Sequence, residues 1–307
     1  MDAVILRAVS LTLVIVMGIV LRSTGLVDEK AGAHVKTILL DITLPAAIIT
    51  NFSKVEGLDS PMAALIFLGI AANMVMIAAG AFLSRRKPTA ERAFYMNCLP
   101  AYNIGTFCLP FVQSFLAPLG NVAACLFDAG NSIMCTGGTY SINAEYLSEH
   151  KNGIDLRAIA KRLFSSVPLM TYMAMIALSL VHIKIPPLVL DLLSPAAAAN
   201  TFLAMLMIGL LFRIEFKRAY LASILKIILV RHAAAILMSL FYYFALPFDL
   251  AIRQALVLVS FGPMSVIAPV FTGLCGGDEG KASAADSITI VLSVVEITLL
   301  LVVMGIY

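Results

Sequence analysis

Charge is scarce in this chain of 307 residues. Asp, Glu, Lys and Arg make up 13% of it, against roughly a quarter of an ordinary soluble domain, while 61% is hydrophobic. Too little polar surface is left to cover a water-soluble particle, so a bilayer must be the main solvent. A net charge of +3 excludes the strongly basic footprint that nucleic-acid binding needs. Tryptophan is absent, so an interfacial aromatic belt falls to Tyr95, Tyr146, Tyr220, Tyr242, Tyr243 and Tyr307. The chain has no HExxH, no GxSxG and no paired Asp-rich diphosphate motif, which removes the usual marks of a membrane-embedded enzyme. No GxxxxGK[ST] loop is present, so ATP does not drive it directly. The five cysteines (Cys98, Cys108, Cys125, Cys135, Cys275) lie in apolar stretches without a CxxC or Cys/His cluster, and neither a zinc site nor a disulfide framework follows. No cofactor is expected.

What fills the sequence instead is a series of apolar runs bounded by charged or turn-forming residues. A window of about twenty residues predicts ten spans. They are Val4–Leu21, Val35–Phe52, Pro61–Leu83, Ala93–Phe115, Asn121–Leu147, Ser165–Val181, Pro195–Phe212, Leu221–Phe244, Leu250–Cys275 and Ala282–Tyr307. The first follows Asp2 rather than a basic stretch and lacks a cleavage site, so it is expected to stay in the mature protein. Basic residues crowd the odd-numbered loops: Arg22, Lys30 and Lys36; Arg85, Arg86, Lys87 and Arg92; Lys151, Arg157, Lys161 and Arg162; Arg213, Lys217 and Arg218; Lys281. Even-numbered loops hold only Lys54, Lys184 and Arg253. The positive-inside rule then places both termini outside the inner membrane.

The connection Ser148–Phe164 divides the chain into residues 1–147 and 165–307, five spans each. With an odd number of spans per half, the second half must enter the membrane upside down. The expected fold is therefore an all-α integral membrane protein of ten helices in a 5+5 inverted repeat. A sequence echo supports it. Asn103 stands seven residues before Pro110 in the fourth span, and Gly262 stands seven before Pro269 in the ninth. Each proline-bearing span is followed by one with an acid, Asp128 or Asp286. Pro110 and Pro269, at matched spacing, are expected to break spans four and nine, with Gly262 and Pro263 at the second crossing, because proline removes a donor and clashes one turn back; the alternative is that these prolines and Pro100 are ordinary transmembrane kinks. Unwound backbone at membrane depth survives only where protein or a water-filled cavity satisfies it, and half-helix N-termini there suit an anion.

Three stretches, NIGTFCLPF from Asn103, APVFTGLCGGDEGKASAADSITIVLS from Ala268 and PAAAANTFLAMLMIGLLF from Pro195, resemble the auxin efflux carrier family. The resemblance implies a scaffold of spans 1, 2, 6 and 7, and a transport unit of spans 3 to 5 and 8 to 10 in which broken helices cross. Asn103 and Pro110 match the family's first crossing, and Pro269 its second. The chain departs from plant members in lacking an acid in the third span, in carrying Gly262 and Pro263 at the second crossing, and in having no long cytoplasmic loop. The auxin substrate therefore does not carry over. A homodimer through the scaffold helices is what such a resemblance implies.

Ionisable residues inside spans need a partner or a purpose. Asp128 shares a helix face with Asn131 and Ser132, an arrangement suited to Na⁺ or to a proton, or else to packing. Asp286, flanked by Ser283 and Thr289, is its echo; Asp41 reads as an interhelical hydrogen-bonding group and Glu296 has no assigned role. Arg231, beside His232, either snorkels to the cytoplasmic surface, or pairs with Asp128 or Asp286, or binds a carboxylate as a fork. Arg7 and Lys226 read as interfacial, and His34, His150 and His182 as loop residues. The expected function is secondary transport of a small organic anion by elevator-type alternating access, not enzymatic. The anion would be held by Asn103, Ile104, Gly105, Thr106 and Ser265, with H⁺ or Na⁺ as coupling ion and membrane lipid as surroundings. The alternative is a sodium/bile-acid symporter fold, which the stretch CTGGTYSIN from Cys135 resembles faintly.

Overall fold

The computed structural model describes residues 2–28, 30–55, 60–148, 156–212 and 217–306. His150, Lys151, Arg213 and Tyr307 lie outside the described residues, as does most of the connection between the halves. The described residues form α1 (Asp2–Ser23), α2 (Ala31–Ile38), α3 (Leu44–Phe52), α4 (Ala64–Ser84), α5 (Thr89–Cys98), α6 (Leu109–Phe115), α7 (Pro118–Ile133) and α8 (Thr139–Leu147). They continue with α9 (Leu156–Phe164), α10 (Val167–Leu180), α11 (Pro187–Leu211), α12 (Leu221–Phe244), α13 (Leu250–Ser260), α14 (Ala268–Leu274) and α15 (Glu279–Val303). Among the described residues there is no strand. Six stretches are long and apolar enough to cross a bilayer: Leu6–Ser23, Ala31–Phe52, Pro61–Ser84, Pro187–Leu211, Arg218–Phe244 and Glu279–Val303. Together they fit a multi-pass membrane protein.

The remaining apolar stretches are interrupted. Residues 99–103 separate α5 from a π turn at Ile104–Cys108 that runs into α6, and residues 261–267 separate α13 from α14. Pro100 and Pro263 lie in these gaps, where a missing N–H and the constraint on the preceding residue both end a helix. Pro110 and Pro269 do not break anything. Pro269 is the second residue of α14, where its N–H would have no intrahelical partner, and Pro110 lies inside the continuous run Ile104–Phe115, directly after the π turn whose wider backbone accommodates a residue without an N–H. Two more π turns follow: Leu39–Thr43 widens an otherwise continuous run from α2 to α3, and Met134–Gly138 contains a kink at the non-helical Gly137 that separates α7 from α8. Lys36 and His34, expected in loops, belong to α2, and the connection to the second half carries helix α9.

Two groups of helices pack chiefly within themselves. One is α1, α2, α3, α10 and α11; the other contains α4, α5, α7 and α12 to α15. Backbone contact between α4 and α7 is the tightest in the second group. A Cβ at Gly130 would lie 1.9 Å from the Ile66 carbonyl oxygen, and one at Gly69 would lie 2.2 Å from that of Phe127. Small residues are what allow this approach, as between helices in lipid generally. It brings Asn73 of α4 within hydrogen-bonding reach of Asn131 of α7, at 3.2 Å.

At one end of this group Lys281 pairs with Glu91, whose other oxygen accepts from Ser223 at 3.2 Å. Lys281 Nζ also lies 4.4 Å from the Phe94 ring centre. These contacts tie α5, α12 and α15 together ahead of the apolar stretch that begins at Ala93. Burial alone would raise the Glu91 carboxyl, but the hydrogen bond and charge of Lys281 outweigh it and hold the group below the ordinary carboxylate range. Its contribution to stability is thus present at neutral pH and lost as pH falls through that lowered value.

Gly130→Ala is expected to cost about 1–3 kcal/mol by forcing α4 off α7, read as a lower unfolding temperature in detergent; an unchanged temperature would contradict the packing described. Acidification to about pH 3 is expected to destabilise the wild type more than Glu91→Gln, and parallel pH profiles for the two would contradict the Glu91–Lys281 tie.

Candidate functional site

The two gaps meet and pair as strands do. Tyr102 and Met264 form an antiparallel bridge, flanked by Asn103 N–H donating to the Pro263 carbonyl at 2.9 Å and Ser265 N–H donating to that of Ala101 at 3.0 Å. Asn131 completes the first gap from the side: its Oδ1 accepts from Tyr102 N–H at 3.1 Å and its Nδ2 donates to Tyr102 O at 2.8 Å. Asn73 Oδ1 accepts from Ala101 N–H at 2.6 Å, holding a residue whose φ of 62° is costly for any side chain with a Cβ. In the second gap Thr289 plays the part of Asn131, its hydroxyl oxygen accepting from Met264 N–H at 3.1 Å.

Arg231 secures the crossing. It does not snorkel, it makes no ion pair with Asp128 or Asp286 among the described residues, and it does not line the cavity beside the crossing. With 5% of its surface exposed, it donates to Leu99 O at 2.5 Å, more weakly to Cys98 and Pro100 O, and to Gly262 O at 2.9 Å. Its guanidinium also sits 4.6 Å from the Tyr102 ring centre. The acceptors are the last carbonyl of α5 and those of the unwound residues just beyond the C-terminal ends of α5 and α13. Each helix end carries about half a negative charge, so two of them match one guanidinium. Gly262 is small for the same crossing: a Cβ there would lie 2.7 Å from Cys108 Sγ.

Against the crossing lies a cavity of about 320 Å³. Asn103, Ile104, Gly105, Thr106 and Ser265 line it, and so do Asp128, Asn131 and Ser132. All three π turns contribute: Leu40 and Asp41 from the first, Ile104 to Thr106 from the second, Cys135 and Thr136 from the third. The opposite wall comes from the other helix group, with Lys36, Leu44, Val167, Pro168 and Met207. Asn103 stands where the second π turn begins, so the free N–H groups of that first turn face the same volume as its side chain. Asn103 Oδ1 accepts from Thr106 Oγ1 at 2.5 Å, which turns Nδ2 away. That Nδ2 is buried and has no acceptor among the described residues.

Asp128 is 3% exposed. One carboxylate oxygen accepts from Asn131 Nδ2 at 2.9 Å and the other from the Tyr172 hydroxyl at 2.8 Å. A Cβ at Gly105 would lie 2.9 Å from the second oxygen, so only glycine lets the turn approach it. The oxygen cage for Na⁺ drawn from Asp128, Asn131 and Ser132 does not form. Asn131 presents its amide N–H groups to Asp128, because its oxygen is taken by Tyr102 N–H, and the reverse orientation would oppose like groups at both contacts. Asp286 is buried outside the cavity, with Oδ1 unpartnered among the described residues, and its backbone carbonyl accepts from Thr289. Asp41 lines the cavity rather than bonding another helix, and Glu296 pairs with His232.

Lys36, Asn73 and Tyr172 escaped the sequence reading. An asparagine within the apolar run of α4 and a tyrosine within that of α10 were the available signals, since each polar group buried there needs a partner. The bridge also changes the register of the echo. Ser265 follows Met264 as Asn103 follows Tyr102, so Ser265, not Gly262, is the counterpart of Asn103 in the second gap, while across the antiparallel bridge Asn103 faces Pro263. The second π turn takes up the difference between the Asn103–Ser265 correspondence and the equal spacing to Pro110 and Pro269.

Comparison with protein-family models finds no match, and neither does comparison with curated proteins. Arg231→Met should remove the cation that holds both helix ends and cost roughly 3–5 kcal/mol, with Arg231→Lys intermediate; melting temperatures in detergent read this, and equal stability for Met and Arg would refute the clamp.

Proposed function

We propose that the chain is a secondary transporter for a small organic anion and binds it in the cavity beside the crossing. The observation that carries this is Asn103 Nδ2, a buried donor without a partner at the head of an interrupted helix. Donors without acceptors in a low-dielectric site favour a carboxylate, which accepts from Asn103, from the open turn at Ile104 to Thr106 and from Ser265. Lys36 adds a positive charge on the facing wall. Leu44, Val167, Pro168, Met207 and Ile267 leave the rest of the ligand an apolar surface.

In this reading the chain crosses the inner membrane ten times with both termini outside. The interrupted segments 93–115, 118–147 and 250–274 and the short α10 supply the four crossings beyond the six long ones. Two halves of opposite orientation are supported by swapped pairings: α1 packs on α11 as α10 packs on α3, and α7 packs on α13 as α15 packs on α5. The helix group with α1 to α3, α10 and α11 is the scaffold, and the crossing travels with the other. The cavity between them then moves with its ligand in an elevator-like shift. Asp128 and Tyr172 bond across this boundary and must part whenever the unit moves. An auxin-efflux-carrier-like organisation accommodates all of these features. The sodium/bile-acid alternative has less support, because Cys135–Asn143 forms a π turn and part of α8 beside the crossing, not the crossing itself.

Asn103→Ala is expected to leave the fold intact and weaken anion binding about 10- to 100-fold, the loss of one hydrogen bond to a charged group. A thermal-shift titration with a panel of mono- and dicarboxylates reads it; equal shifts for variant and wild type would sink the assignment.

A further inference from the structure

Behind the crossing, away from the cavity that Asn103 lines, His232 Nε2 meets a carboxylate oxygen of Glu296, while His232 Nδ1 lies 2.6 Å from the Ile228 carbonyl oxygen. A carbonyl only accepts, so Nδ1 carries a hydrogen. The contact between Nε2 and Glu296 then needs one further proton. Either Nε2–H of an imidazolium donates to the carboxylate, or a protonated Glu296 donates to the Nε2 lone pair. Without that proton a lone pair faces a carboxylate. The pair is thus built around a single proton, and it stands within two of the long apolar helices, where an ionisable pair needs a purpose.

Its surroundings connect it to the crossing. Arg231, His232, Glu296, Gly262 and Thr289 share one small cavity of about 10 Å³. The charges that act on His232 are Glu296 of α15 and Arg231 of its own helix, and Asp286 acts on Arg231. From α13 the cavity receives only Ser260 and uncharged neighbours, and on α1 Arg7 is committed to the Ser114 carbonyl. On α5, Glu91 is held by Lys281. When the proton leaves for water, a carboxylate remains that competes with the carbonyls of Leu99 and Gly262 for the Arg231 guanidinium. When it returns, Arg231 is released to the two helix ends.

We infer that His232 and Glu296 form a one-proton binding site, separate from the cavity, whose occupancy sets how firmly Arg231 holds the crossing. Its role in coupling rests on the transport reading above, but proton binding itself is measured without any substrate. In liposomes, a chain with His34, His150 and His182 replaced by Gln leaves His232 as the sole histidine, and ¹⁵N NMR follows its ring between about pH 5 and 9, the range a histidine spans. One titration is expected, with its midpoint displaced in Glu296→Gln. A ring state that stays fixed across the range, or a titration identical in Glu296→Gln, overturns the site. Infrared pH-difference spectra of the wild-type chain need no histidine replacement: a signal missing from both His232→Gln and Glu296→Gln is expected, and spectra insensitive to both overturn it. Failure here leaves anion binding at Asn103 untouched, and failure there leaves the proton site untouched.

Discussion

Backbone that leaves a helix inside a bilayer has no water to turn to, and this constraint governs the rest of the structure. Residues 99–103 and 261–267 are both unwound at the heart of the protein, and each supplies what the other lacks. Two main-chain hydrogen bonds flank the Tyr102–Met264 bridge, Asn73, Asn131 and Thr289 take up N–H groups, and Arg231 takes up the carbonyls. The guanidinium is the right size of charge for the task. Two partial negative ends would repel each other if brought together bare, and one cation between them turns the repulsion into a joint. A buried arginine without a carboxylate partner is otherwise hard to explain in a chain so poor in charge.

With its carbonyls and most of its N–H groups paired, the crossing keeps a small surplus of donors on one side. That side faces the cavity. Asn103 Nδ2, the opening of the second π turn and the cavity wall at the buried Ser265 are what is left, and all three π turns converge there. Wide turns of this kind cost hydrogen-bond geometry and persist mostly where a function needs the backbone displaced. Here they push Asp41, Thr106 and Thr136 into one volume. Lining residues come from both helix groups, so the ligand's environment depends on how the two groups sit against each other, and Asp128 with Tyr172 is the polar contact at that boundary.

Much of this was legible in the sequence, for reasons that are local. Apolar length marks spans, prolines mark gaps, and a polar residue beside a gap, such as Asn103 or Thr106, marks unwound backbone with something to do. Pairings between distant segments were not legible. Nothing in the spacing of Pro110 and Pro269 says that they lie beyond the gaps instead of in them, and equal spacing made Gly262, not Ser265, the counterpart of Asn103. Arg231 could be seen to need a partner, but acceptors on two other segments carry no sequence signature, because carbonyls belong to every residue. Lys36 was counted with the basic residues of the first loop although the span from Val35 already contained it. Asn73 and Tyr172 were hidden by their apolar neighbours, and the Gly69–Gly130 contact that brings Asn73 to Asn131 is visible only in three dimensions.

The central claim is that a cavity beside the crossing carries an anion from one side of the membrane to the other. Counterflow in proteoliposomes tests it most directly: vesicles loaded with an unlabelled mono- or dicarboxylate are diluted into the same labelled anion. Saturable, transient accumulation of label above protein-free vesicles, for at least one carboxylate small enough for a cavity of about 320 Å³, is the result this account predicts. Label that merely equilibrates, at the rate of protein-free vesicles, for every carboxylate tried would contradict it.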